Sequence, residues 1–179
     1  MEQLYEGKAK KVFKTENPHE FLMEFKDDAT AFNAKKKAQF KDKGRLNKKL
    51  TVHFFNLLAD AGVPTHMIKD LDETRVLVKA VKIVPIELVV RNICAGSLAK
   101  KLGKEEGGVL PFPVIEFYYK DDALDDPMIN ADHALAFEMA TKEELDTMCA
   151  MARKINQVLT DFFKECGIKL VDFKLEFGR

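Results

Sequence analysis

The sequence has no tryptophan, only three cysteines and no net charge. The cysteine count and the balance of charge each argue against a class of protein. The number of cysteines is odd, and the spacing of Cys94, Cys149 and Cys166 fits neither a disulfide framework nor a zinc site. We therefore expect reduced thiols and a cytoplasmic protein. The 29 basic and 29 acidic residues balance, so no overall field would attract nucleic acid or a membrane surface.

Long apolar stretches and common nucleotide motifs are also missing. No segment approaches the roughly 20 apolar residues that a membrane helix needs, and residues 1–10 are too polar for a secretory signal. We expect no membrane partner. The sequence contains no P-loop, no Rossmann glycine fingerprint and no Ser-His-Asp arrangement.

What the sequence does contain predicts an α+β fold. Hydrophobic residues make up 46% of the 179 residues, enough for one domain or two small lobes. Short alternating segments predict mostly antiparallel strands near residues 4–8, 10–14, 21–25, 65–69, 74–80, 86–92, 114–119 and 168–177. Apolar residues at helical spacing predict packed helices over 43–61 and 142–166, with a short helix after 95. Thr141 and Glu144 form a capping box before the last helix.

The last predicted strand separates apolar from charged side chains. One face is apolar from Val171 to Phe177, and the other carries Asp172, Lys174 and Glu176, because side chains alternate along a strand. Two carboxylates beside a lysine can hold a divalent cation and a phosphate together. The same alternation is typical of a half-exposed strand with surface ion pairs, and the spacing leaves both interpretations open.

The N-terminal hairpin is a second candidate site. Glu6, Lys8 and Lys10 would share a face of a regular strand, and the small residues Gly7 and Ala9 would let a ligand approach the backbone. Such a hairpin could cover a phosphate. Lysines are equally common on ordinary exposed strands.

Arg91 and Ser97 form a third candidate. Arg91 ends an apolar strand, and Ser97 begins a short helix, where N–H groups and the helix dipole favour an anion. Together they would suit a phosphate monoester. The alternative is that Ser97 only caps the helix and Arg91 pairs with a nearby acid.

Two charged segments have weaker functional interpretations. The aspartates between Asp121 and Asp126 could bind Mg²⁺ or a substrate amine, but they are also typical of a solvated turn. The basic run from Lys35 to Lys49 could bind RNA, yet Phe40 is its only aromatic residue, which favours a solvated face. We expect no nucleic-acid partner.

Six segments taken together resemble the SAICAR synthetase family. They are residues 4–10 (LYEGKAK), 28–33 (DATAFN), 84–92 (VPIELVVRN), 95–98 (AGSL), 126–130 (DPMIN) and 170–178 (LVDFKLEFG). They occur in the family's order and span the chain. Each segment alone is weak evidence for the family, but the six segments in this order are specific to it.

The resemblance implies a two-lobed fold with a site between the lobes, related to ATP-grasp enzymes and kinases. We expect a nucleotide-binding lobe at residues 1–80 and a second α+β lobe at 81–179. The implied enzyme is an ATP-dependent ligase of de novo purine biosynthesis. It would join L-aspartate to 5-amino-1-(5-phosphoribosyl)imidazole-4-carboxylate through an acyl phosphate, releasing ADP and phosphate. The resemblance also suggests a homo-oligomer.

The resemblance also implies roles for individual residues. ATP would be bound by Lys8, Lys10, Val12, Lys79, Lys82 and Val84. The imidazole ribotide would be bound by Arg91 and Ser97 at its phosphate, and by Glu87 and Asp126 near the ring. The implied catalytic residues are Lys174, Asp126 and Asp172, and the implied Mg²⁺ ligand is Glu176.

Relatives in this family continue beyond the counterpart of Gly178. We therefore expect that a metal-binding aspartate and a second phosphate-binding arginine are missing here, as in a proteolytic fragment, a shortened form or one half of a split enzyme. Rival functions are a nucleotide-binding module without turnover and a kinase-like phosphotransferase. RNA binding through the basic run is a further rival.

Overall fold

A computed structural model of the chain describes residues 2–31 and 36–179. The chain forms two compact units, Met1–Val81 and Lys82–Arg179. Three residues named above, Phe32, Asn33 and Lys35, lie outside the described residues. Among the helices within that description, none is long and apolar enough to cross a membrane.

The first unit is built on a five-stranded antiparallel sheet in the order β1-β2-β3-β7-β6. Its strands are β1 (Gln3–Glu6), β2 (Lys10–Lys14), β3 (Glu20–Phe25), β6 (Met67–Asp70) and β7 (Arg75–Lys79). A separate two-stranded sheet is formed by β4 (Asp28–Ala31) and β5 (Lys36–Gln39). One helix, α1 (Lys43–Asp60), completes the unit. The five strands of the main sheet correspond to the predicted ones, whereas β4 and β5 were not predicted.

Helix α1 lies close to β3, and Gly44 permits this approach. The Gly44 N–H donates a hydrogen bond to Asp27 Oδ1 (2.8 Å). A Cβ at position 44 would lie 2.6 Å from the Phe25 carbonyl oxygen, so a larger residue would force the helix away. The helix is confirmed, but Leu46 and Leu50 of its predicted apolar stripe are about half exposed (53% and 54%).

The second unit is built on a four-stranded antiparallel sheet in the order β10-β9-β8-β11. Its strands are β8 (Ile83–Ile93), β9 (Val109–Tyr119), β10 (Met128–Ile129) and β11 (Asp172–Gly178). Its helices are α2 (Gly96–Leu102), α3 (Ala131–Ala136) and α4 (Lys142–Glu165), with one 3₁₀ turn at Asp122–Leu124. Strand β8 therefore lies between β9 and β11, at the centre of the sheet.

One face of this sheet forms the main apolar core of the second unit. Ile86, Leu88 and Val90 of β8 are fully buried, and they belong to one cluster with Met148 and Ala152 of α4. Burying each large aliphatic side chain contributes about 1.5–3 kcal/mol. This packing holds β8 rigidly in the middle of the sheet, with its alternate side chains directed to the other face.

The start of α4 follows the local signal in the sequence. Thr141 Oγ1 accepts a hydrogen bond from the Glu144 N–H (3.2 Å), and Glu144 Oε2 accepts one from the Thr141 N–H (2.8 Å). The predicted capping box is confirmed, and two N–H groups at the helix start are satisfied.

Several boundaries differ from the predicted ones. Strand β11 begins at Asp172 rather than at 168, because Ile168 still closes the end of α4 through a hydrogen bond to the Phe163 carbonyl (2.8 Å). Helix α3, which Asn130 caps, and the two-residue strand β10 were not predicted. Both are too short to show a hydrophobic period.

Candidate functional site

The polar face of the second unit's sheet carries five charged residues on its two neighbouring strands. Strand β8 contributes Glu87 and Arg91, and β11 contributes Asp172, Lys174 and Glu176. The strand register pairs Asp172 with Arg91 and Glu176 with Glu87. Paired residues of antiparallel strands project to the same side, so these side chains share one surface.

Glu87 is the buried centre of a first cluster. Lys174 Nζ donates to Glu87 Oε1 (2.7 Å), Lys120 Nζ lies 3.3 Å from the same oxygen, and Lys120 Nζ also donates to Glu176 Oε1 (3.0 Å). Burial by itself would raise the pKa of Glu87, but the hydrogen bonds and charges of Lys174 and Lys120 hold it below its ordinary value. Glu87 is therefore an ionised carboxylate at neutral pH, although its side chain is only 6% exposed.

The two lysines of this cluster remain partly accessible. Burial would lower the pKa of Lys120, but its bonds to Glu176 and then to Glu87 raise it overall. The side chains of Lys120 and Lys174 are both more than a third exposed. The cluster thus presents two ammonium groups to solvent around a buried carboxylate, which suits a polyanionic ligand.

Arg91 is the buried centre of a second cluster. Its Nε donates to Glu116 Oε2 (2.6 Å), one Nη donates to Asp172 Oδ2 (2.9 Å) and the other to Ser97 Oγ (2.9 Å). Burial would lower the pKa of Arg91, but its bonds to Glu116 and Tyr118 raise it overall. The guanidinium is consequently charged, and it is held in place from three sides.

Ser97 does not cap helix α2. The cap position is Ala95, which has no capping side chain, and the Gly96 N–H donates to Glu106 Oε1 (2.8 Å). The interpretation of Ser97 as only a cap is wrong, whereas the pairing of Arg91 with nearby acids is confirmed. The hydroxyl of Ser97 is instead directed at the guanidinium of Arg91.

The acidic loop is held by hydrogen bonds among its own residues. Asp126 Oδ1 accepts from the Asp121 N–H (2.9 Å), and Asp121 Oδ1 accepts from the Ala123 N–H (2.9 Å). Asp125 and Asp126 both have positive φ angles (62° and 46°), which aspartate tolerates in turns. Across residues 2–31 and 36–179 we find no group of three His, Cys, Asp or Glu side chains able to hold a metal ion. The roles of Asp126 near the imidazole and Glu176 at Mg²⁺ stay predictions.

In the first unit, the lysine hairpin is less regular than expected. Strand β1 ends at Glu6 and β2 begins at Lys10, so Lys8 lies in the connection between them. Glu6 bonds to Lys26 (2.6 Å). The expected shared face of Glu6, Lys8 and Lys10 therefore does not form, while Lys10 and Val12 do project from the same side of β2.

A cavity of about 390 Å³ lies beside Lys10 in this unit. Sheet residues including Val76 and Val78 line it, together with Phe54 of α1 and His66. Burial, followed by the charges of Lys10 and Lys79, lowers the pKa of His66, so its imidazole is neutral at pH 7. The cavity is thus mainly apolar, with one ammonium group in its wall.

The other residues assigned to ATP have mixed surroundings. Lys79 Nζ lies 3.3 Å from the Thr65 carbonyl oxygen, and the main chain of Lys82 forms a hydrogen-bonded pair with Arg179. Val84 is buried in the apolar core of the second unit, so its side chain is not open to a ligand from solvent. Their proposed contacts with a nucleotide stay predictions.

The described part of the basic run is not a uniform solvated face. Lys48 is buried and binds both carboxylate oxygens of Asp70 (2.7 and 2.9 Å). Lys43 Nζ donates to the Asp28 carbonyl (2.9 Å), and Arg45 pairs with Asp42. Two of these cations, Lys48 and Arg45, are therefore paired with carboxylates within the first unit.

Sequence reasoning missed three residues of β9 and its end, namely Glu116, Tyr118 and Lys120. They recur at every second position, which was a visible signal that they share a face. Their relevance arises only because β9 pairs with β8, with Tyr118 opposite Glu87 and Glu116 opposite Val89. The register between distant strands cannot be read from the alternation alone.

Comparison with known proteins identifies one family throughout. The family model described as SAICAR synthetase matches residues 3–179. Phosphoribosylaminoimidazole-succinocarboxamide synthase of Listeria monocytogenes serovar 1/2a is 55% identical over 178 residues, covering 99% of this chain and 75% of the relative. The enzyme of the same name from Nautilia profundicola is 53% identical over 180 residues, covering 100% and 77% respectively.

Solved structures agree with this comparison. The phosphoribosylaminoimidazole-succinocarboxamide synthase of Ehrlichia chaffeensis superimposes with a TM-score of 0.95 at 46% identity, over 99% of this chain and 75% of that one. A SAICAR synthetase in complex with ADP superimposes with a TM-score of 0.93 at 48% identity, over 98% and 74%. The predicted α+β fold class is confirmed.

Proposed function

Because the chain belongs to the SAICAR synthetase family, we propose that it performs that family's reaction, the ATP-dependent joining of L-aspartate to 5-amino-1-(5-phosphoribosyl)imidazole-4-carboxylate. The products are the succinocarboxamide ribotide, ADP and phosphate. One observation carries the proposal for this chain. A buried arginine with a serine hydroxyl at 2.9 Å shares a sheet face with a lysine bonded to a buried glutamate.

The chemistry requires such a face. A carboxylate is a poor acylating agent, and bound ATP supplies the phosphoryl group that turns it into an acyl phosphate. The aspartate amine then attacks the carbonyl carbon, and phosphate leaves with the bonding electrons. Negative charge grows on phosphoryl oxygens during transfer, so fixed cations nearby lower the barrier.

Lys174 and Lys120 are the cations that we assign to this task. Their ammonium nitrogens lie 2.7 Å and 3.3 Å from the same Glu87 carboxylate oxygen. Glu87 also limits the directions in which they can point, so the ammonium groups are oriented before substrate binds. In this proposal Lys174 is the catalytic residue, and Asp126 and Asp172 assist as the resemblance implies.

Arg91 and Ser97 are the residues that we assign to the ribotide phosphate. The guanidinium and the hydroxyl converge, and a phosphate oxygen can accept from both. Glu87 and Asp126 are assigned to the imidazole part of the substrate. This places binding of the ribotide mainly on β8 and on the start of α2.

For the metal, the chain offers single carboxylates that suit Mg²⁺. Glu176 is 40% exposed, and its carboxylate contacts Lys120 at the surface. Magnesium ions are usually held by one or two carboxylates together with substrate phosphates and water. We therefore assign Glu176 as a Mg²⁺ ligand when nucleotide is bound.

For the nucleotide, we assign Lys8 and Lys10 to the phosphates and Val12, Lys79, Lys82 and Val84 to the adenine side, with Val84 contributing its main chain because its side chain is buried. The Lys10 and Val12 side chains share one face of β2, and a similar structure is described as an ADP complex. A cytoplasmic location and a homo-oligomer belong to the same proposal.

The proposal is tested by measuring ADP release from the purified chain with ATP, Mg²⁺, the ribotide and aspartate, omitting each in turn. We expect turnover only when all four are present. ADP release without aspartate would support a phosphotransferase instead. Nucleotide binding without any ADP release would identify a binding module.

A matched pair of variants connects turnover to the site. Lys174→Met removes the proposed catalytic ammonium group, whereas Lys142→Met removes an exposed lysine that pairs with Asp146 on α4. We expect only the first to reduce kcat strongly. Equal activity of the two variants would contradict the role of Lys174.

A further inference from the structure

We propose that Glu116 is a positioning residue that holds Arg91 for the phosphate of the ribotide, while Asp172 is an exchangeable partner that this phosphate displaces. The inference rests on the proposed function and adds to it a residue without a role so far. It assigns opposite effects to the two carboxylates that contact one guanidinium.

The contact between Glu116 and Arg91 is the buried one. The side chains are 7% and 8% exposed, and the Nε–Oε2 distance is 2.6 Å. The Tyr118 hydroxyl donates to the same Oε2 atom (3.0 Å), which fixes the carboxylate from a second direction. Because β8 and β9 are paired along most of their length, both ends of this bond stand on rigid backbone.

The bond to Glu116 determines the orientation of the Arg91 guanidinium. It occupies the Nε–H, so the two Nη groups reach Asp172 and Ser97 (2.9 Å each), and the Nη that bonds Ser97 also contacts the Tyr118 hydroxyl at 3.4 Å. A phosphate that accepts from Nη and from the Ser97 hydroxyl needs this orientation. Without Glu116, the long side chain of Arg91 could rotate, and part of the binding energy would be lost in ordering it.

The contact between Asp172 and Arg91 is the accessible one. The Asp172 side chain is 41% exposed, and the residue is the first of β11, which is an edge strand of the sheet. Water can solvate this carboxylate when it leaves the guanidinium, so breaking the pair costs little. Water cannot solvate Glu116 in the same way, because its carboxylate would stay buried without a partner if the bond to Arg91 broke.

Neutralising Glu116 and neutralising Asp172 should change the affinity for the ribotide differently. If the two carboxylates acted only through their charge, neutralising either one would strengthen phosphate binding, because both repel an anion. Under the proposal, Glu116→Gln weakens ribotide binding, whereas Asp172→Asn leaves it unchanged or strengthens it. The two substitutions therefore separate positioning from electrostatic repulsion.

The experiment is titration calorimetry of the ribotide into the full chain, without ATP so that no turnover occurs. We expect Glu116→Gln to raise Kd about fivefold, because its neutral amide oxygen is a weaker acceptor for Arg91 Nε than the carboxylate is. Glu144→Gln is the matched control, because it removes another Arg–Glu pair, with Arg179, in the same unit. Its Kd should equal that of the wild type.

Steady-state kinetics provides the second readout. Glu116→Gln should raise KM for the ribotide while kcat and KM for aspartate stay near wild-type values. Glu116→Asp, which keeps the charge on a shorter side chain, should recover part of the loss. A merely structural role would instead lower kcat and affect both substrates.

If Glu116→Gln does not fold, Tyr118→Phe replaces it, since it removes the hydroxyl that holds Glu116. We expect a smaller increase in Kd, about threefold, because the hydroxyl orients Glu116 and contacts Arg91 Nη (3.4 Å) while the Glu116–Arg91 bond itself remains. Unchanged or tighter binding by the folded Glu116 variant, or by Tyr118→Phe in its place, would overturn the inference. So would equal weakening by Asp172→Asn. Failure of the wild-type chain to bind the ribotide would overturn the proposed function and the inference together.

Discussion

The two faces of the second unit's sheet are buried to nearly the same degree at β8 but by different means. On one face Ile86, Leu88 and Val90 are 0% exposed and contact other apolar side chains. On the other, Glu87 and Arg91 are 5% and 7% exposed, and each is bonded to partners of opposite charge. Burial alone therefore does not distinguish the core from the candidate site.

The difference lies in what each face contributes to the protein. Apolar burial stabilises the fold directly. Buried ion pairs often contribute no more than well-packed apolar residues of the same volume would, because the charges lose hydration. A face that keeps Glu87, Arg91 and Glu116 buried is consequently better explained by ligand binding than by stability. Four predictions test this contrast, from the largest expected effect to the smallest.

The largest effect is expected on the apolar face. Leu88→Ala removes a fully buried side chain at the centre of the sheet and should lower the free energy of unfolding by about 4 kcal/mol. Urea unfolding measures this loss. Leu102→Ala, at a position 59% exposed on α2, is the control and should change stability by less than about 0.5 kcal/mol. Similar losses at both positions would contradict the assignment of the core.

On the polar face the main effect should fall on activity. Lys174→Met should reduce kcat by about 100-fold or more, equivalent to roughly 3 kcal/mol of transition-state stabilisation. Its effect on the unfolding free energy should stay within about 1 kcal/mol, because the lysine is half exposed and Lys120 still pairs with the buried Glu87. If Lys174→Met lost stability but kept turnover, the assignment of the polar face to activity and of the apolar face to stability would be wrong.

A third prediction concerns the pH dependence of stability. The pKa of Glu87 lies below its ordinary value of 4.5 in the folded protein, so its stabilising contribution is present above pH 4.5 and is lost as the pH falls through the folded-state pKa. Glu87→Gln should cost about 1–2 kcal/mol at pH 7. The difference from wild type should shrink below pH 4.5 in urea unfolding curves. A difference that is constant from pH 7 to pH 3 would argue against an ionised Glu87.

The smallest effect is expected away from both faces, at the start of α4. The bond from Arg179, together with the Thr141 N–H, lowers the pKa of Glu144 to about 2. Glu144→Gln should destabilise the protein less than Glu87→Gln at pH 7, because the side chains of the pair are 39% and 30% exposed and salt screens their attraction. Repeating the unfolding curves at high salt should abolish most of the difference. A difference that persists there would show that the pair is not solvent-screened.

Much of the fold could be predicted because its signals are local. The period of two along 172–177, the helical period along 142–165 and the capping box at Thr141 each depend on residues close in sequence. These signals located α1, α4 and most strands to within a few residues. They failed for α3, β10, β4 and β5, which are too short for a period to show, and at 168–171, where Ile168 closes the end of α4 instead of starting a strand.

The sequence by itself determined the family, the α+β class and which residues alternate between the faces of β8 and β11, because motif order and side-chain period are local properties. Only the tertiary structure decided the partners of Arg91. Glu116 lies 25 residues away and Asp172 lies 81 residues away, and the register of β8 with β9 and β11 brings all three together. That register depends on which apolar residues fill the core on the opposite face, so long-range packing places the charges.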